Sequence, residues 1–351
     1  MGSFYEYCET HISSLDEIKI YYEKHKSSIN REYAFRNSCI YGHLHVAQWL
    51  LSLGYISIHV DNDFTFRESC ANGHLDVVQW LYSLGDINIR AADYSAFKNS
   101  CVNGHLNVAR WLYSSENITV STLEYAFRQS CKNGQLNVAL WLHSLKIIDI
   151  HGIDEHAFRW SCIKGHLHVA QWLYYLSDAD VSDEQKINIH MYNDDAFQGS
   201  CENGHLDVAQ WLYSLGDTAV SGKQNVDICA GGDYAFRLSC ENGHLNVAKW
   251  LHSLGGVNIH SYDDYAFRQS CANGHLNIVQ WLLSLGNINV RADNNYAFYQ
   301  SCQRHHLDIA TLLATICPEY DFKITIPGGY VRYGIRKFVW FKNTKILLFI
   351  F

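Results

Sequence analysis

No apolar run in this chain is long enough to cross a bilayer. The longest, Ile346-Leu-Leu-Phe-Ile-Phe351, falls far short of the ~20 residues that a spanning helix needs. Positive charge is scarce as well. The net charge is -8 and no long basic run occurs, which disfavours nucleic acid, whose affinity comes largely from phosphate neutralisation. The first residues, Met1-Gly-Ser-Phe-Tyr-Glu6, lack the apolar core of a signal peptide, and Glu6 stands where a myristoylation signal needs Ser or Thr. No Ser-His-Asp set, phosphate-cradling loop or carboxylate pair stands apart from the pattern described next, so neither an enzyme nor a cofactor is expected.

What the chain does have is a beat. Cys8, Cys39, Cys70, Cys101, Cys131, Cys162, Cys201, Cys240, Cys271 and Cys302 follow one another at intervals of 31 residues, except for one of 30 and two of 39. The same phrase surrounds each of them, as in Tyr265-Ala-Phe-Arg-Gln-Ser-Cys-Ala-Asn-Gly-His-Leu-Asn-Ile-Val-Gln-Trp-Leu. A fixed period of this length marks stacked supersecondary units, each of which cannot bury its apolar face alone. Within the unit from Asp63, that residue is expected to cap a first helix carrying Phe66 and Cys70 on one face, closed at Asn72-Gly73. Val77, Trp80, Leu81 and Leu84 recur at i, i+3, i+4 and i+7 as the buried side of a second helix. An extended arm, Asp86 to Arg90, follows. Units so stacked lie roughly 10 Å apart, too far for disulfides between neighbouring cysteines, which predicts reduced, buried thiols.

Three rows invite functional readings, each with a plainer one beside it. Cys-x-x-x-His pairs such as Cys70/His74 suggest zinc, but each unit offers two ligands where a structural site takes four, so no metal is expected. Trp49, Trp80, Trp111, Trp141, Trp172, Trp211, Trp250 and Trp281 suggest a stacking ladder for bases; their period favours a core seam. Arg36, Arg67, Lys98, Arg128, Arg159, Arg237 and Arg268 suggest a phosphate track. Six of them have an acid four residues earlier, which favours pairs within the helix.

The phrase resembles the ankyrin repeat. Gly73-His-Leu-Asp-Val-Val-Gln-Trp-Leu81 tracks that family's Gly-His-Leu-Glu-Val-Val-Lys-Leu-Leu, and Ser69-Cys70 stands at its Ala-Ala pair, a likeness running from about residue 3 to about residue 316. Tyr234-Ala-Phe-Arg237 replaces the family's Thr-Pro-Leu-His opening. This variant phrase looks like the ankyrin proteins of giant amoeba-infecting DNA viruses of mimivirus type. The resemblance implies an all-α fold, an ankyrin-repeat solenoid of helix-turn-helix-loop units stacked in a curved array. It is expected as a degenerate N-terminal capping repeat over 1–30, nine repeats over 31–316 and a non-repeat tail over 317–351. It also implies a non-enzymatic scaffold that binds a protein through its concave face and loop tips. A substrate adaptor for a ubiquitin ligase or similar host machinery is the alternative.

The repeat breaks at the two 39-residue gaps, which place longer loops at 177–190 and 217–232. Loops on one face of such a stack often bind. Two residues before the cysteine, where other units are polar, the units beside these loops carry Trp160, Gly199 and Leu238. An apolar hollow beneath two polar loops follows as the expected binding site, made of Trp160, Gly199 and Leu238 with Asp180, Asp183, Glu184, Lys223 and Gln224. The plainer reading is that the loops fold back over these residues. In the tail, alternating stretches such as Lys337-Phe-Val-Trp-Phe341 predict a short strand pair against the last repeat, with a weak membrane contact as the alternative. The expected partner is a host protein, with no nucleic acid and no membrane span. The chain is expected to be a monomer in a reducing host cytoplasm, with nucleus and virion left open.

Overall fold

The computed structural model describes residues 15–26, 29–178, 186–216, 226–326, 330–341 and 344–350. The chain forms two compact units: 1–161 with 168–187, and 162–167 with 188–351. The helices of the first region are α1 (Leu15–His25), α2 (Arg31–Ile40), α3 (Leu44–Ser52), α4 (Val60–Ala71), α5 (Leu75–Ser83), α6 (Ala91–Val102), α7 (Leu106–Ser115), α8 (Val120–Lys132), α9 (Leu136–Ser144), α10 (Gly152–Ile163) and α11 (Leu167–Asp178). The second unit continues with α12 (Met191–Glu202), α13 (Leu206–Gly216), α14 (Ala230–Glu241), α15 (Leu245–Ser253), α16 (Ser261–Ala272), α17 (Leu276–Leu285), α18 (Ala292–Gln303) and α19 (Leu307–Ile316). Within each unit helix stacks on helix, so the repeat region is all-α as expected. The segments between pairs, such as 86–88, are irregular loops that anchor by single apolar residues, Ile89, Ile118, Val226 and Val290 among them.

Each described first helix buries a phenylalanine, a serine and a cysteine. Phe66, Ser69 and Cys70 are shut off from solvent, and so are their counterparts Phe267, Ser270 and Cys271. The serine is buried because at least one backbone carbonyl satisfies it. Ser69 Oγ contacts Thr65 O at 2.8 Å and, across to the preceding repeat, Cys39 O at 3.1 Å; Ser270 does the same with Ala266 O and Cys240 O. The second helix is rotated from the expected face. Val77, Val78 and Leu81 are buried, Leu84 is exposed, and Trp80 is half-buried. The tryptophans line the edge of the seam, and several meet rings of the preceding repeat at a steep angle. Trp141 takes Phe97 at 6.3 Å and Tyr113 at 5.8 Å between ring centroids, and Trp281 takes Phe236 and His252 at 6.2 and 5.7 Å.

The opening of the first helix differs from the expected cap. In seven of the described first helices the chain makes three successive residues in the left-handed region, for example Asp61, Asn62 and Asp63 at φ 55°, 56° and 57°. Such residues each cost roughly 1–2 kcal/mol unless they are Gly, Asn or Asp. These residue types fill most of the positions, as in Gly231-Gly232-Asp233. Asp63 does not cap its own helix. Its carboxylate meets His59 Nδ1 at 2.8 Å and accepts the Asn88 amide of the next loop at 3.0 Å. Asp264 repeats this with His260 and the Asn289 amide. The third residue of the turn is therefore a latch onto the following unit. Two first helices open ordinarily, with Asn30 and Thr119 as side-chain caps. The 30-residue interval, Cys101 to Cys131, contains the second of them.

The tail is a sheet of three antiparallel strands in chain order, β1 (Tyr320–Ile326), β2 (Tyr330–Phe341) and β3 (Thr344–Ile350), one more than expected. Their register pairs Ile326 with Tyr330 and Phe341 with Thr344. Tyr320 seals the last repeat. Its ring stacks on Phe298 at 4.2 Å and its hydroxyl donates to Asn295 Oδ1 at 2.7 Å, so it does for α18 what the next loop does for earlier units.

Candidate functional site

The conserved-looking turn between the two helices of each unit has a steric origin. A side chain on Gly243, at φ +87°, would meet the His275 ring of the next unit at 2.8 Å, and one on Gly274 would meet His306 at 2.6 Å. Gly42, Gly73, Gly165 and Gly204 face His74, His105, His205 and His244 in the same way, and Gly104 faces Gln135. The histidine is thus a filler for the space over the previous glycine, and Gln135 fills that space equally. Cysteine and histidine of one unit serve different interfaces. Among the described residues no group of three or more His, Cys, Asp and Glu gathers as a metal site. In the last repeat no unit follows, and a non-glycine, His305 at φ 64°, takes the left-handed position.

Burial holds several of these rings below the ordinary imidazole value, foremost in His105, His205 and His244, and likewise in His143 and His156. The folded state therefore favours the neutral ring, and in the interval below the unfolded value of about 6.5 the unfolded chain binds more protons. Stability is full above that value and falls as pH drops through it. The melting temperature is expected to fall between about pH 7.5 and about pH 5.5. His105→Gln should flatten the slope while preserving the fold, since Gln135 already does this duty. Thermal melts followed by circular dichroism decide it; a melting temperature that ignores pH would refute the linkage.

The basic row serves the left-handed turns. Arg36 pairs with Glu32 at 2.8 Å as expected. Arg67 instead donates to Asn62 O and Asp61 O, both at 2.9 Å, Arg237 donates to Gly232 O and Gly231 O, and Arg268 donates to Asp263 O and Tyr262 O. The acid four residues earlier is engaged with the next loop, so the guanidinium turns to the carbonyls that the left-handed turn leaves pointing outward. Tyrosines complete its seat. Arg237 lies 4.3 Å from the Tyr262 ring centroid and 5.0 Å from that of Tyr265.

The residues expected to form a site under the long loops are described only in part. Asp180, Asp183, Glu184, Lys223 and Gln224 lie outside the described residues. Trp160, in the first unit, is half-buried, with Lys132 Nζ 3.8 Å from its ring centroid and the His156 ring 5.9 Å away. Gly199, in the second unit, is buried, and the place of its missing side chain is already taken: a Cβ there would meet Ile163 Cγ1 at 2.6 Å. Glycine at 199 accommodates the neighbouring isoleucine. Leu238 is half-buried.

A cavity of about 420 Å³ does occur nearby, within the second unit, over the left-handed turns of α12 and α14. His190, Tyr192, Asp194, Gln198, Gly231 and Tyr234 are among its walls. His190 Nδ1 meets Asp194 Oδ1 at 2.6 Å. Burial and then the Glu202 carboxylate push the Tyr234 hydroxyl up. None of these residues stood out in the sequence, although Gln198 occupies the place that arginine holds in the repeats on either side.

No helix among the described residues is long and apolar enough to cross a membrane. No curated protein matches the chain. The crystal structure of the human ASB11 ankyrin repeat domain is similar to it at 14% identity and a TM-score of 0.41, covering 62% of this chain and 96% of that one. The family model for ankyrin repeats, in three copies, matches residues 236–325. Over residues 236–325 the chain is thus similar to ankyrin repeats, a family whose domains generally mediate protein–protein interactions.

Proposed function

We propose that this chain binds a protein partner non-covalently through the tips of its left-handed turns and the face they border. The observation that carries this is the exposure of large apolar side chains at the first position of those turns: Ile153 (61%), Tyr192 (60%) and Tyr262 (63%). The turns of Tyr192 and Tyr262 are each held by a glutamine or arginine below and by a latch to the next repeat, so these side chains are presented on a stiff support. Exposed aromatic anchors on a preorganised backbone are what protein interfaces favour. The likeness of the repeat phrase to viral proteins makes a host protein in a reducing cytoplasm part of this reading. An adaptor role in a degradation machine would require a second binding element beside the repeats.

Affinity capture from cell lysate tests this, with the full chain as bait. Wild type is expected to retain a protein that the triple variant Ile153→Ser, Tyr192→Ser, Tyr262→Ser loses, while circular dichroism stays unchanged. Loss with Trp160→Ser, Leu238→Ser instead moves the site to the first-helix face. No protein retained above an unrelated solenoid control refutes the interaction reading.

A further inference from the structure

Seven of the described repeats place a left-handed turn before the first helix, and the residue that covers the turn from below is arginine in most of them. In α14 and α16 that guanidinium makes two donations to turn carbonyls and rests on tyrosine rings. The next unit completes the seat with two residues. For Arg237 these are Tyr262 and Tyr265, and for Arg268 they are Asp293, whose carboxylate lies 2.8 Å from Nη1, and Tyr296.

In α12 both parts are altered together. Gln198 stands in the arginine's place and gives a single uncharged donation, Nε2 to Asn193 O at 2.8 Å. Gly231 stands where the next unit would offer Tyr262 or Asp293, so the lid is missing as well. The base remains, because Tyr234 corresponds to Tyr265 and Tyr296. The outcome is the cavity of about 420 Å³, with Gln198, Gly231 and Tyr234 all in its wall. The charge that would balance a cation also remains. Asp194, buried in the wall, accepts the Asp227 amide at 3.3 Å, and the exposed Asp227 borders the same space.

We propose that this cavity receives a guanidinium side chain from a protein partner, which takes the seat that Arg237 and Arg268 fill from within their own units. The site rests on the interaction reading above and gives its partner a chemistry: an arginine-bearing segment, met by carboxylates and a tyrosine face on a chain of net charge -8. A planar guanidinium suits this seat better than an ammonium, because it can stack on Tyr234 while donating sideways to carbonyl oxygens.

The test uses the full chain and three short peptides, glycine on either side of one arginine, lysine or citrulline, followed by ligand-observed NMR and titration. The arginine peptide is expected to bind saturably, and the isosteric uncharged citrulline peptide roughly tenfold more weakly or not at all. Gln198→Arg supplies the guanidinium from inside and should abolish binding while leaving the melting temperature equal or higher. Tyr234→Leu removes the stacking base and should weaken binding by about tenfold, which keeps the test decisive should the first variant misfold. Citrulline binding as tightly as arginine, or Gln198→Arg binding as wild type does, overturns the proposal. A wild type that captures a protein but binds no arginine peptide refutes the guanidinium seat and leaves the interaction reading intact. A wild type that captures nothing but binds the peptide refutes only the broader reading.

Discussion

Phe97→Ala is expected to lower the stability of the chain by about 3–5 kcal/mol, the cost of deleting a fully buried aromatic ring from a packed core. Phe97 has no solvent exposure, and its ring meets Trp141 of the following unit edge-on at 6.3 Å. The loss therefore falls on two interactions at once: the packing of its own helix pair and the interface with the next. In an array where each unit contacts only its neighbours, weakening one interface also weakens cooperativity. The denaturant midpoint should fall, and the transition followed by circular dichroism should broaden. Phe97→Leu keeps much of the volume and should cost markedly less. A loss below about 1 kcal/mol for the alanine variant would refute the role of this ring as a core element.

Gly243→Ala is expected to cost about 2–4 kcal/mol, from two sources that can be separated. The first is the backbone, since φ is +87° and an L-residue pays roughly 1–2 kcal/mol there. The second is the His275 ring, 2.8 Å from the added Cβ. Adding His275→Ala to Gly243→Ala clears the second obstacle and leaves the first. The double variant should therefore be more stable than the sum of the two single losses by about 1 kcal/mol or more, a coupling that a double-mutant cycle in urea would measure. Simple additivity would show that ring and glycine do not meet.

The helix pairs were legible because their signals are local. Phe66 and Cys70 lie four apart, Gly73 closes the turn, and Val77 with Leu81 marks the next helix; the structure buries the four apolar residues among these as one seam. What escaped was carried by neighbours rather than by spacing. Asp63 looked like a cap because the residues that cap helices are also those that tolerate the left-handed region, and only the loop of the following unit shows which use is made of it. Once Asp63 is engaged there, Arg67 has no acid one turn back and takes the turn carbonyls, which the pairing rule within a helix could not anticipate. The role of Gly199 was hidden for the same reason, because Ile163 of the preceding helix takes the place of its missing side chain. Gln198 was visible as a gap in the basic row, but its meaning depended on knowing what the arginines do.

His305 gives the array a direction of growth. Earlier turns such as Gly42, Gly73, Gly243 and Gly274 keep a hydrogen where a successor's ring presses. The last repeat carries an imidazole there, at φ 64°. A gene that lengthens by copying units can therefore insert them among the interior repeats, where each copy arrives with its own glycine. A duplicate placed after the last one would be refused by the surface it must seat upon. Lengthening is tolerated from within and barred at that end, so variation in the number of repeats would preserve that terminal seal while the middle of the stack expands.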